Sequence, residues 1–272
     1  MMTGEELPEN CVFCGSTDWK RQASFNAPPE GETDFGLADY HRSLWQCDRC
    51  GHVVNQHRMT LDDLYTSAYW DKTYGGDRMA ATYDRIMALP EDRSDNRARV
   101  KRICGYCDES GRPYRRSVLD VGSGLAVFPA VMRMAGWQAT ALDPDARGAA
   151  HAEEKAGVDA IAGDFMTVQL DRTYGLVSYN KVLEHVRDPV GLLARAKPAL
   201  DADGLVYVEL PDGEAALQDS PGREEFFVEH YDAYSMASIV LLAKLAGFRC
   251  DLAERVREPS GKYTLRAFLT VD

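Results

Sequence analysis

SVLDVGSGLAVFPAV, residues 117–131, is an apolar run that breaks at Gly122-Ser123-Gly124 and resumes with helical spacing. Strand, glycine turn and helix in that order place backbone N–H groups where a ligand can sit. The dinucleotide fingerprint G-x-G-x-x-G needs a third glycine, and that position is Val127. No lysine followed by serine or threonine comes after the turn, so it is not a phosphate-binding P-loop. Acids stand in their place. Asp120 precedes the glycines, Asp143 ends the next apolar run, and Asp164, followed by Phe165, ends the one after that. A carboxylate at the second strand end can hold ribose hydroxyls, and one beside an aromatic can hold and stack an adenine. Such carboxylates repel a triphosphate but tolerate a cofactor that carries a sulfonium and an ammonium.

From residue 116 onward strand-like and helix-like stretches alternate, which predicts an α/β domain with a parallel, doubly wound sheet closed by an antiparallel pair. Strands are read at SVLDVG, QATALDPD, VDAIAGD, YGLVSYN and GLVYVELPD, and the closing pair at FRCDLAERV and YTLRAFLTV. In such sheets ligands bind at the carboxyl ends of the strands, where the glycine turn lies.

Six of the seven cysteines fall in C-x-x-C pairs. CVFCGS (Cys11, Cys14) and CDRCGH (Cys47, Cys50) are matched knuckles, each turning through a glycine, and four thiolates give a tetrahedral Zn²⁺ a closed, structural shell. His52 could replace one thiolate but need not, and His41 and His57 fall in the same module. The third pair, Cys104 and Cys107 in RICGYCDESG, has no partner pair and is read as packing, as is Cys250. The chain divides into a zinc ribbon (1–60), a helical connector or lid (61–115) and the α/β domain (116–272). In the connector, Tyr65, Tyr69, Trp70 and Tyr74 are read as a packed helix face.

Forty-three acids against thirty-one bases leave a net charge of −12, which opposes a phosphate backbone and disfavours nucleic acid as a partner. The eight bases between Arg93 and Arg116, Arg99 among them, are read as a solvated helix face. No apolar run reaches the roughly 18 residues of a membrane span, and the polar, acidic start has no signal-peptide pattern, so a cytoplasmic protein is expected.

Taken together these motifs resemble class I S-adenosylmethionine (SAM)-dependent methyltransferases over roughly residues 95–272. LDVGSG is similar to their first motif, LDPD to the ribose-binding acid, GDF to the adenine motif, and 179–212 to the fourth strand, helix and fifth strand. The resemblance implies a seven-stranded Rossmann-like sheet. It assigns Gly122 and Gly124 to the methionine end, Asp143 to the ribose, Asp164 and Phe165 to the adenine and Asn180 to a place next to the cofactor, with Asp120, Ser123 and Pro144 also among the cofactor-binding residues.

With its four-cysteine module the chain is also similar to zinc-containing sugar C-methyltransferases. In FFVEHYDAYS (226–235), Glu229 and His230 fall on their Glu-His pair, and Tyr234 and Ser235 on the residues that follow. Phe227 stands where their first tyrosine would be, and the protein is expected to lack their further C-terminal domain. The resemblance implies a small-molecule acceptor such as a nucleotide-linked sugar. Methyl transfer needs in-line positioning and removal of a proton, for which histidine is suited near neutral pH. His230, oriented by Glu229, is the candidate base or positioning group and His185 the competitor, whereas His151 is expected to face solvent. The alternatives are an RNA base methyltransferase, against which charge and the absence of an N-P-P-[YF] motif argue, and a non-catalytic partner protein. The oligomeric state is left open.

Overall fold

Strand order, not strand count, is what creates the site. The structure, a computed structural model, describes residues 7–37, 39–59, 78–111 and 113–272. Residues Tyr65, Tyr69, Trp70 and Tyr74 of the connector lie outside them. Three strands, β1 (Trp19–Phe25), β2 (Arg42–Cys47) and β3 (Val53–His57), form an antiparallel N-terminal sheet. Among the described residues two helices follow, α1 (Arg78–Met87) and α2 (Asp95–Ser110), the second capped by Ser94, whose hydroxyl accepts from the Arg97 amide.

The α/β unit then runs β4 (Ser117–Val121), α3 (Val127–Met134), β5 (Gln138–Asp143), α4 (Ala146–His151), β6 (Asp159–Ala162), β7 (Tyr174–Asn180), α5 (Pro189–Ala194), β8 (Leu200–Pro211) and α6 (Gly213–Asp219). It ends with β9 (Asp232–Ala233), α7 (Met236–Leu245), β10 (Phe248–Arg257) and β11 (Tyr263–Val271). The seven-stranded sheet has the order β10-β11-β8-β7-β4-β5-β6, with β6, β5, β4, β7 and β8 parallel and β11 antiparallel to both its neighbours. The predicted doubly wound fold with its antiparallel closing pair is therefore what forms.

All five residues of β4 are buried, as a central parallel strand covered on both faces requires. The chain winds from β4 outward through β5 and β6, then crosses back to begin β7 on the other side. This reversal leaves a crevice beyond the carboxyl ends of β4 and β7, the place where open α/β sheets bind ligands. The N-terminal sheet is not a free appendage. Its fourth strand is β9, so Val53 pairs with Ala233 and Val54 with Asp232, and Cys11, Phe13, Cys47 and Cys50 belong to the same apolar cluster as Tyr234 and Ile239.

Two readings of charged and polar residues need correction. Arg99 does not lie on a solvated face: it is 8% exposed and ion-paired with Glu209 of β8, with Glu258 3.9 Å away. Helix α2 packs against the sheet, so the base there meets a buried acid rather than water. His151 does not face solvent either. It is half-buried, edge-on to Tyr83 at 5.4 Å between ring centroids. Cys104 and Cys107 pack against the second apolar cluster, and no cysteine is in a disulfide. Among the described residues no helix is long and apolar enough to cross a membrane.

Candidate active site

The crevice opens into one cavity of about 890 Å³. Its first wall is the glycine turn. Gly122 and Ser123 donate amide N–H groups to the Leu142 carbonyl at 2.8 and 3.1 Å, which ties the turn to the end of β5. Gly122 has φ +70°, and a Cβ there would meet Val182 Cγ2 at 2.8 Å, so the position requires glycine twice over. Gly124 donates to Asp143 Oδ2 at 2.8 Å and Asp145 to Asp143 Oδ1 at 2.9 Å. Burial pushes the Asp143 carboxyl up, and the two amides pull it back. A carboxylate oxygen has two lone pairs, so both can still accept a hydroxyl from the cavity side.

Ser123, Pro144, Asp164, Phe165 and Asn180 line the same space, so eight of the nine residues expected at the cofactor do so. Asp164 is exposed and caps its own turn by accepting from the Met166 amide at 2.9 Å, while Phe165 is 3% exposed. Asp120 is the exception. It is 2% exposed and does not reach the cavity wall; its Oδ1 accepts from Ser178 at 2.8 Å and from Asn180 Nδ2 at 2.7 Å. Burial raises its carboxyl to about 6. Its work is to clamp β4 to β7 and orient Asn180, whose Oδ1 is buried without a hydrogen-bond partner among the described residues.

The opposite wall carries Glu184, His185, Glu229 and His230. The two imidazoles meet edge to face with centroids 4.7 Å apart. The expected orientation of His230 by Glu229 is corrected: His230 Nδ1 donates to the Glu225 carbonyl at 3.0 Å, and the Glu229 carbonyl instead receives Nδ1 of His185 at 3.0 Å. A main-chain bond at Nδ1 puts the lone pair of each ring on Nε2. Burial pushes His185 down to about 4, and burial together with His185 pushes His230 well down, so both rings are neutral. Glu184 and Glu229 are both raised to about 7 by burial. Glu184 was not singled out in the sequence, although it stands beside His185.

The N-terminal sheet holds this second wall in place. Asn55 Nδ2 donates to the carbonyls of Phe227 and His230, both at 3.2 Å, and Glu32 accepts the Val228 amide at 2.8 Å while paired with the buried Arg42 at 3.0 Å. His52 Nε2 contacts Asp232 at 2.9 Å, and its ring packs on Phe13 and Tyr234, so it is a strut between the two parts of the chain rather than a metal ligand. Tyr234 and Ser235, expected to align with the acceptor segment, are fully buried. Ser235 caps α7 and bonds the Cys50 carbonyl, and neither residue lines the cavity.

The four cysteine sulfurs cluster with Cys11 to Cys50 at 3.6 Å and Cys14 to Cys47 at 3.5 Å. A tetrahedron with metal–sulfur bonds of about 2.3 Å has edges of about 3.8 Å, so the donor set and its spacing suit a closed-shell Zn²⁺.

A family model described as a methyltransferase domain matches residues 83–253. The chain belongs to the methyltransferase-domain family. No curated protein matches its sequence. Among solved structures, this methyltransferase-domain protein is similar to the 1,6-didemethyltoxoflavin N1-methyltransferase of Burkholderia thailandensis with bound 1,6-didemethyltoxoflavin and S-adenosylhomocysteine. The TM-score is 0.57 at 19% identity, over 90% of this chain and 100% of that one. It is also similar to magnesium protoporphyrin IX methyltransferase from Synechocystis PCC 6803 with bound S-adenosylhomocysteine, with a TM-score of 0.54 at 15% identity over 78% and 97% of the two chains. At these identities the likeness is one of fold.

Proposed function

We propose that this protein transfers a methyl group from S-adenosylmethionine to a small-molecule acceptor. The observation that carries the reading is a single continuous cavity, with the glycine turn and Asp143 on one wall and Glu184, His185, Glu229 and His230 on the other. The first wall fits the cofactor: Asp143 has lone pairs for ribose hydroxyls, Phe165 a ring for adenine, and Asn180 Oδ1, buried and without a partner among the described residues, an acceptor for the ammonium. When bound, the cofactor supplies an electrophilic methyl group on a sulfonium. The chain's own residues then have to align the acceptor, exclude water and receive its proton.

We assign that task to His230 and Glu229. The neutral imidazole offers Nε2 as a hydrogen-bond acceptor, and the Glu229 carboxyl, raised to about 7, can take a proton near neutral pH. His185 supports the same wall. In this reading Cys11, Cys14, Cys47 and Cys50 hold a structural zinc, and the N-terminal sheet braces the acceptor wall of the 116–272 domain. A nucleotide-linked sugar is the narrower acceptor class, carried by the resemblance of 226–235.

The test is a thermal-shift panel of nucleotide sugars, phenols, carboxylic acids and short RNAs in saturating S-adenosylhomocysteine, followed by turnover of the acceptor found. An acceptor stabilises by mass action whether or not it reacts. His230→Ala should keep cofactor affinity and lose roughly 10²- to 10⁴-fold in turnover. Near-full turnover in His230→Ala with loss in His185→Ala would reverse their roles, and stabilisation by RNA alone would refute the small-molecule reading.

A further inference from the structure

The acceptor wall holds three side chains whose arrangement suits more than a hydrogen-bonded substrate. One ligand atom each from Glu184, His185 and His230 lies within 4.8 Å of the other two. Each imidazole is held by a main-chain carbonyl at Nδ1, through Glu229 for His185 and Glu225 for His230. An Nδ1–H to carbonyl bond is the arrangement metal-ligating histidines use to fix their tautomer and raise the basicity of Nε2.

Glu184 is an independent observation. It is 0% exposed, it lines the cavity, and neither carboxylate oxygen has a hydrogen-bond partner among the described residues. A buried carboxylate without donors is costly unless it is protonated or a cation sits against it. Lys181, on the same loop, is committed elsewhere: its Nζ bonds Thr264 Oγ1 at 2.5 Å and pairs with Glu258 at 3.5 Å.

We propose that Glu184, His185 and His230 form a two-histidine, one-carboxylate site for a divalent transition-metal cation, separate from the four-cysteine cluster, with its open positions facing the acceptor. Two imidazoles and one carboxylate suit Fe²⁺, Co²⁺, Ni²⁺ or Zn²⁺ better than Mg²⁺ or Ca²⁺, which prefer oxygen sets. Bonds of about 2.1 Å put neighbouring ligand atoms about 3.0–3.4 Å apart, so from the 4.8 Å limit the triad needs to close by up to about 1.8 Å. A cation there would bind an acceptor through oxygen and ease loss of a hydroxyl proton. This rests on the methyl-transfer reading for the acceptor's chemistry and narrows it to a hydroxyl, phenol or enol. With His230 engaged as a ligand, Glu229 is left to receive the proton.

The test titrates full-length protein, its cysteine site already loaded with zinc, with Co²⁺ followed by calorimetry and visible absorption. One further equivalent should bind with weak ligand-field bands and no sulfur-to-cobalt charge-transfer band. Glu184→Gln, His185→Asn and His230→Asn should each weaken binding at least about 10-fold. The inference is overturned by no further equivalent up to about 1 mM Co²⁺, by a charge-transfer band that places cobalt on cysteine, or by unchanged affinity in all three variants. Because the wild-type spectrum alone discriminates between the ligand sets, the test survives a variant that fails to fold. S-adenosylhomocysteine binding is measured on the same samples. Cobalt binding without it would refute methyl transfer and leave the cation site standing, whereas the reverse result would refute the cation site alone.

Discussion

Replacing Asp143 by Ala removes the group on which the cofactor assignment turns. In the structure its two oxygens receive the Gly124 amide at 2.8 Å and the Asp145 amide at 2.9 Å, at 5% exposure. A hydrogen bond to a charged group contributes about 1.5–3 kcal/mol net, so losing the ribose contact should cost roughly 2–3 kcal/mol, or about 30- to 150-fold in affinity. The two amides also lose their acceptor, but they border an open cavity where water can replace it, so the folding penalty should stay near 1 kcal/mol. Calorimetry with S-adenosylhomocysteine measures the first term and denaturant titration the second. Comparing adenosine with 2′,3′-dideoxyadenosine, on wild type and variant, isolates the ribose contact as a double-mutant cycle would. A folded Asp143→Ala protein that binds S-adenosylhomocysteine within threefold of wild type, or a cycle with less than about 0.5 kcal/mol of coupling, would refute the assignment.

Three further outcomes are expected. Arg99→Ala should cost about 3–5 kcal/mol of stability, because it strands Glu209 in the core, and Arg99→Met with Glu209→Gln should restore much of it in urea titrations. Glu258 links stability to acid: burial raises its carboxyl, but Lys181 and Arg99 outweigh that and hold it at about 2, against 4.5 when unperturbed. The unfolded chain takes up that proton first as pH falls, so stability present above pH 4.5 should drain away toward pH 2, partly offset by Asp95, whose carboxyl burial and Glu258 raise, and Glu258→Gln should flatten that slope. Cys47→Ser with Cys50→Ser should free residues 224–235 to proteolysis and abolish acceptor-induced thermal stabilisation while leaving S-adenosylhomocysteine affinity within threefold; loss of cofactor affinity as well would show that the N-terminal sheet supports more than the acceptor wall.

The glycine-turn wall of the cavity was legible because its signals are local. A strand, Gly122-Ser123-Gly124 and a helix are adjacent in sequence, Asp143 ends β5, and Asp164 follows the end of β6 by two residues. What was not legible depends on partners far along the chain. Asp120 looks like its neighbours in the motif, yet β7 brings Ser178 and Asn180 against it and turns it inward. Arg99 sits in a run of charges that reads as surface until β8 supplies Glu209. The matched knuckles announced the cysteine cluster, but nothing near Asn55 or the two-residue strand β9 announces that the N-terminal sheet grips the loop carrying Glu229 and His230. Glu184 carries no motif of its own; that both its carboxylate oxygens are buried without a hydrogen-bond partner among the described residues is a property of the packing.

The central claim is that one cavity holds the cofactor on the Gly122–Gly124 turn with its sulfur toward Glu184, His185 and His230. A crystal structure of the protein with S-adenosylhomocysteine tests it most directly. The account predicts ribose hydroxyls on Asp143, adenine against Phe165, the amino group near Asn180 Oδ1, and the sulfur facing the two imidazoles. Density for the ligand elsewhere, or with its sulfur turned away from that wall, would contradict it.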